Sequence, residues 1–181
     1  MMAQVNIFAR QYDYATRQEE EDEKIIMKQL PGCIGVKKTG KVKDKAGIDY
    51  IATTINDFGT SHIGVDVKRR EQGASRYWQH GPEICFEVEA QREQGVQGWL
   101  ADSKADYNLY VFDPSDCERT FLIPLIALRA VWTRYGDTFI KKYGYKRQKS
   151  QGYYESWTSK AVFVPVFEVY RCFFEIMGKT K

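Results

Sequence analysis

The 181-residue chain predicts a single domain of α/β (α+β) class, a central mixed β-sheet flanked by helices. Three observations carry that expectation. A helix-forming segment opens the chain and stops at Pro31 and Gly32; two alternating apolar and polar stretches joined by "NDFGT" follow; and two late segments, "FLIPLIALRAVW" and "VFVPVFEVYRCF", each run an apolar strand through a proline into an amphipathic pattern. Helix, then strands, then strand-helix units is the order of a mixed domain. The length suits one compact unit with its own core.

From about Tyr14 to Leu30 the residues are good helix formers, and "PG" ends the run. Thr16 suits the start as a cap, and the acids of "EEEDE" (19–23) suit the helix dipole. Ile26 and Leu30 mark the buried stripe; extended backward by the helical period it passes near Glu23 and Glu19, so one acid is expected at the edge of the core-facing side. A basic, glycine-containing loop is expected over 35–46. "GIDYIATT" and "SHIGVDVKRR" then read as strands, and the short turn between them predicts an antiparallel hairpin. In the second strand Ile63, Val65 and Val67 alternate with Asp66 and Lys68, so the aliphatics can fill a core while Asp66 and Lys68 share the opposite face.

"ICFEVEAQ" (84–91) is expected as a third strand of the same sheet, with Glu87, Glu89 and Gln91 on a face that either lines a cleft or meets solvent. Asp102, Lys104 and Asp106 are expected to shape a loop leading into "YNLYVFD", which is apolar on both faces and suits a central strand. The two prolines of the late segments fall where a strand ends and a helix begins, their least costly place. Between those segments the basic, aromatic stretch 141–160 reads as a flexible connection, with Gly144 terminating the preceding helix.

Composition narrows the functional classes. Hydrophobic residues at 43% and charged residues at 28% are those of a folded chain. The net charge of +3 does not by itself argue nucleic-acid binding, but it is unevenly laid out: lysines crowd 37–45, a second basic run spans 141–149, and acids collect at 19–23. That layout suits a basic groove beside an acidic site, and equally a set of solvated faces. Cys33, Cys85, Cys117 and Cys172 are widely spaced and only His62 and His80 accompany them, which argues against structural zinc and for a reducing compartment. No G-x-S-x-G, phosphate-loop or dinucleotide fingerprint occurs. With neither a signal-peptide core nor an apolar run of membrane-spanning length, a cytoplasmic protein with no membrane partner is expected.

The chemistry concentrates in two carboxylates. Asp49 and Asp66 each interrupt an apolar strand, and their strands are expected to be hairpin neighbours. A buried, unpaired carboxylate costs several kcal/mol, roughly, so the fold must supply a partner. A divalent metal would serve. Mg²⁺ is commonly held by one or two carboxylates with water and phosphate oxygens, and the Val67 carbonyl can add a protein ligand. Lys68, about 7 Å beyond Asp66 by strand rise, can orient or help deprotonate a water, or stabilise charge on a phosphate. Arg69, Arg70 and Arg76 are candidates for holding a nucleic-acid backbone, and Lys104 is a further one.

An Asp on one strand in "GIDYIA", Asp-x-Lys seventeen residues later in "GVDVK", and a preceding helix that carries acids together resemble the PD-(D/E)xK superfamily, the restriction-endonuclease-like nucleases. "GWLADSKADYNLYVF" is similar to a segment of phage-encoded members. The resemblance covers roughly 15–112, which would be the catalytic core, with C-terminal strand-helix elements at 119–181. It implies a Mg²⁺-dependent nuclease in which Mn²⁺ can substitute, hydrolysing phosphodiester bonds in DNA ahead of RNA. Asp49 and Asp66 would then bind the metal and Lys68 would be the catalytic lysine. Many members add a helix glutamate, for which Glu23 is the choice by its spacing to Ile26 and Leu30, with Glu19 and Glu20 as rivals. Ile48 stands where many members have a proline. Sheet edges in the superfamily often dimerise, which leaves a homodimer open.

Blander readings compete. Asp66 and Lys68 can be a structural ion pair, Glu23 a solvated helix acid, and the whole chain a nuclease-like binding module, inhibitor or accessory protein without catalysis. His62 falls on the same strand face as Asp66, yet a lone histidine is more often a simple polar residue. Trp78, Trp99 and Trp157 stand near loops where they could stack on bases, with packing the commoner role, and Trp132 is expected in the core.

Overall fold

A computed structural model describes residues 7–40, 43, 46–70, 81–112, 119–151 and 156–178. Arg76, Trp78, His80 and Cys117 lie outside the described residues. Helix α1 (Ile7–Gln29) begins earlier than expected, so Thr16 stands inside it rather than at its cap. It stops before Pro31, and Gly32 turns the chain with φ 69°, a conformation that favours glycine. The buried stripe is Asp22, Ile26 and Leu30, spaced four apart.

Strands β1 (Cys33–Lys38), β2 (Tyr50–Asn56) and β3 (Gly59–Arg69) follow as an antiparallel meander. The expected hairpin of β2 and β3 is present, with Asn56 opposite Gly59 and Tyr50 opposite Val65. The expected loop over 35–46 gives way in part to β1, which pairs with β2 and turns Cys33 and Val36 toward the apolar layer under α1. Two strands reached later complete this sheet: β6 (Tyr107–Val111) lies parallel to β3, and β7 (Thr120–Pro124) antiparallel to β6. The order is β1-β2-β3-β6-β7, a central mixed sheet.

The remaining strands form a second sheet, where one sheet was expected. Its members are β4 (Glu83–Gln91), β5 (Val96–Gln97), β8 (Lys146–Gln151) and β9 (Ser156–Pro165), in the order β5-β4-β9-β8. The third strand read from the sequence is β4, and it leaves β3 because its partner is β9, with Ile84 opposite Val164 and Phe86 opposite Val162. The stretch expected as a flexible connection is largely the β8–β9 hairpin. Gly144, at φ 70°, does end the preceding helix.

Three more α-helices are described, the single turn α2 (Trp99–Asp102), α3 (Leu125–Tyr143) and α4 (Val166–Gly178), besides a 3-10 turn at Arg92–Gln94. Pro124 closes β7 directly before α3, and Pro165 closes β9 directly before α4, as the two strand-proline-helix segments predict. The fold is thus mixed α+β, with a central mixed sheet flanked by helices. No helix among the described residues is long and apolar enough to cross a membrane.

Burial on both faces of the central sheet explains why β6 reads as apolar throughout. Leu109 and Val111 join Ile26, Leu30, Ala52 and Val65 beneath α1, while Tyr110 and Phe112 face the other way, into a core with Phe86, Leu128, Phe139 and Val162. Fully burying one such side chain contributes about 1.5–3 kcal/mol. Phe86 also stacks on Trp132 with centroids 5.2 Å apart, which places Trp132 against the core as expected. Among the described residues no further strand pairs with the outer edge of β7. The Gln29 carboxamide sits there instead, donating to the Thr120 carbonyl (3.0 Å) and accepting from the Leu122 N–H (2.9 Å).

Candidate active site

Two loops are tied together before the site residues appear. Gly47, at φ 71°, lies so close to Ser103 that a Cβ there would stand 2.8 Å from the Ser103 hydroxyl oxygen. That hydroxyl donates to the Gly47 carbonyl (3.1 Å), and the Lys104 N–H donates to the Ala46 carbonyl (2.8 Å). Asp106 accepts from the Gly64 N–H through its carboxylate (2.7 Å), pinning the approach to β6 against β3 as its expected loop role requires. The entry to β2 is therefore held in place, and Asp49 with it.

Asp49 extends the β2–β3 ladder one step past its last paired residues. Its N–H donates to the Val65 carbonyl (2.9 Å), and its carboxylate accepts from the Val67 N–H (2.7 Å). Across from it on β3 stands Asp66, only 2% exposed and near enough to Asp49 for the two carboxyls to act on one another. The pair expected from sequence is brought together. Lys68 lies on the same face and its Nζ sits 2.8 Å from Asp66 Oδ1. Burial pushes Asp66 up to about 6; the Lys68 ammonium opposes that rise, and the Asp49 carboxylate adds to it.

The opposite face of β3 has a separate charge network. Arg69 alternates away from Lys68 and binds α1, donating from Nη2 to Asp22 (2.8 Å) and to the Gln18 carbonyl (3.0 Å), with Glu21 at 3.3 Å. Its placement corrects the expectation that Arg69 holds a nucleic-acid backbone: the guanidinium is engaged with helix acids under the sheet. Tyr50 belongs to that face too and donates to Asp22 (3.3 Å). Burial, then the charges of Asp22, Glu19 and Glu23, pushes the Tyr50 phenol up. Glu23 therefore acts on the Tyr50 side of the sheet, and the groups acting most strongly on Asp66 are Lys68 and Asp49. Glu19 pairs with Lys38, and Glu20 with Lys24. The buried helix acid is Asp22, which sequence reasoning passed over; its spacing of four to Ile26 was the available signal.

Arg70 returns to the Lys68 side. Its guanidinium lies 5.3 Å from the centre of the Phe163 ring on β9 and acts on Cys85 of β4. Burial, the dominant influence, pushes the Cys85 thiol up to about 11, so it is a neutral core residue at physiological pH. Lys68 in turn stands 5.9 Å from the ring centre of Trp99, which stacks on Phe86. Trp99 is seated by Gly98, where any Cβ would fall 2.0 Å from the Glu87 carbonyl oxygen. Lys104 is exposed at the loop, Glu89 pairs with Lys160 (3.4 Å), and His62 is exposed beside Thr53, roughly 13 Å from Asp66 by strand rise. His62 is thus a surface polar residue.

Sequence reasoning also missed Asn108. It is the β6 residue in register with Asp66, is 0% exposed, and donates from Nδ2 to Asp66 Oδ2 at 3.1 Å. Its signal was a lone polar residue in "YNLYVF".

The donor set fits Mg²⁺ in kind. Asp49 and Asp66 offer carboxylate oxygens, and Val67, whose N–H points at Asp49, directs its carbonyl to the same side of the strand. Among the described residues no group of three or more His, Cys, Asp and Glu side chains is gathered to hold a metal. Mg²⁺ keeps most of its waters and needs only one or two carboxylates. No protein-family model, no curated protein and no solved structure matches the chain.

Proposed function

We propose that the protein is a Mg²⁺-dependent nuclease that hydrolyses phosphodiester bonds in DNA, built on the restriction-endonuclease-like core of the PD-(D/E)xK superfamily. One observation carries the reading: Asp49 and Asp66 meet at the ends of adjacent strands with the Lys68 ammonium 2.8 Å from Asp66. The order of elements supports it, since a helix, an antiparallel meander and a strand parallel to β3 surround the pair.

Asp49, Asp66 and the Val67 carbonyl would hold the metal. Bound there, Mg²⁺ supplies Lewis acidity toward a phosphate oxygen and makes a water more acidic. Lys68, with its side chain 28% exposed, reaches from a buried carboxylate to the lip of the site, where an ammonium can orient a water and stabilise charge growing on the phosphate. Arg70 and Trp99 flank Lys68 and offer a cation and a ring to the substrate backbone and bases.

The test is Asp66→Ala. Metal-dependent cleavage of DNA should fall to background while the circular-dichroism spectrum and thermal transition persist, and full cleavage by this variant overturns the assignment. A second reading rests on the same ion pair: Lys68 already compensates the Asp66 charge, as it would in a nuclease-like binding or inhibitor module without catalysis. Calorimetric titration with Mn²⁺ separates the two, because such a module has no need of a metal between Asp49 and Asp66.

A further inference from the structure

Asn108 is an anomaly on the proposed nuclease's central strand. Its neighbours Leu109, Tyr110, Val111 and Phe112 are all buried hydrophobic residues, and it is itself fully buried, with Oδ1 lacking any hydrogen-bond partner among the described residues. A buried acceptor left unpaired costs stability, and a leucine of similar volume would avoid that cost. What the side chain does gain is one bond, from Nδ2 to Asp66 Oδ2. The amide must present its nitrogen there, because its oxygen would repel the carboxylate.

We infer that Asn108 is a positioning residue for the Asp66 carboxylate and thereby sets the affinity of the site for a divalent cation, an inference that rests on the proposed metal-dependent reading. Asp66 is gripped at both oxygens: Oδ1 by Lys68 from further along β3, Oδ2 by Asn108 from the parallel neighbour β6. Two bonds from two strands fix the plane of the carboxylate. Each oxygen retains a lone pair with which it could meet a cation. Lys68 is on a long, partly exposed stem and can swing away to meet a substrate; Asn108 is short, buried and fixed by the β3–β6 register. The carboxylate thus keeps its orientation when the lysine moves. Hydrogen-bonding partners of metal-binding carboxylates typically account for 10–100-fold in metal affinity.

The experiment is Mn²⁺ titration of the 181-residue protein, wild type and Asn108→Leu, by calorimetry and by the electron paramagnetic resonance spectrum of the bound ion. Asn108→Leu should bind Mn²⁺ about 10–100-fold more weakly and give a broadened spectrum of altered splitting, while its melting temperature is unchanged or higher. Asn108→Ser, which restores a small donor, serves in the same titration if the leucine variant does not fold, and should be weakened to a lesser degree. Wild-type affinity and spectrum in a folded variant overturn the role of Asn108 and leave the metal site standing. Failure of the wild type itself to bind Mn²⁺ overturns the metal reading, and this inference falls with it.

Discussion

Moving Asp66 from water into the space between β3 and β6 strips hydration that its charged form needs, and the carboxyl responds by holding its proton up to about pH 6. The direction fixes a pH dependence of stability. Below about pH 4 the group is protonated in the folded and unfolded chain alike, and its contribution is fully present; as pH rises through about 6 the folded chain must carry a buried charge and that stability is lost. Asp66→Asn cannot ionise. In EDTA its advantage over the wild type should therefore grow between pH 4 and 7, to about 2–3 kcal/mol, and a difference that stays flat across that range in denaturant titrations would refute the account. Asp49, Asp66 and Lys68 were legible in the sequence because charges inside apolar strands are conspicuous. Asn108 was written just as openly, but a neutral amide announces no chemistry until the register of β6 sets it beside Asp66. Asp22 and Glu23 stand four and three residues before Ile26, and a period of 3.6 admits either; packing against Tyr50 and Arg69 made the choice.

At the level of elements, β3 works as a divider between two charge systems. One face carries Asp66 and Lys68; the other sends Arg69 to Asp22 on α1, an ion pair with Asp22 only 5% exposed. Removing the guanidinium would leave a buried carboxylate without its main partner, so Arg69→Ala should cost about 3–5 kcal/mol. Adding Asp22→Leu to it should recover much of that loss. Urea unfolding of the single and double variants measures both, and a double variant no better than Arg69→Ala would show that the pair is not what docks the helix. Alternation in "GVDVKRR" told which residues share a face, and in that respect the sequence was read correctly. It could not tell what lies over each face, which is why Arg69 was expected at a nucleic-acid backbone and is found beneath α1.

For the whole molecule, β1, β2 and β3 pair with their neighbours in sequence, whereas β4 pairs with the distant β9, joined to it from Glu83 opposite Pro165 inward. That separation is also why the second sheet was invisible in sequence: an alternating strand advertises its faces but not its partner. Ile84, Phe86, Tyr110 and Phe112 depend on α3, α4 and β9 for cover. A chain ended after Phe112 keeps Asp49, Asp66, Lys68 and Asn108 but exposes those four side chains, and it should show no cooperative melting transition by calorimetry. A sharp transition would mean that the first 112 residues are a self-sufficient unit. The strand-proline-helix segments, by contrast, were readable almost to the residue, because proline constrains the backbone locally and owes nothing to distant contacts.

The carboxamide of Gln29 occupies the outer side of β7 as a sixth strand would, one group offering both a donor and an acceptor at the spacing a neighbouring backbone would present. It gives the central sheet a terminus. Any assembly that grew by adding a strand on that flank would first have to lift the last turn of α1, and so would be coupled to loosening of the layer that covers Val65 and Leu109.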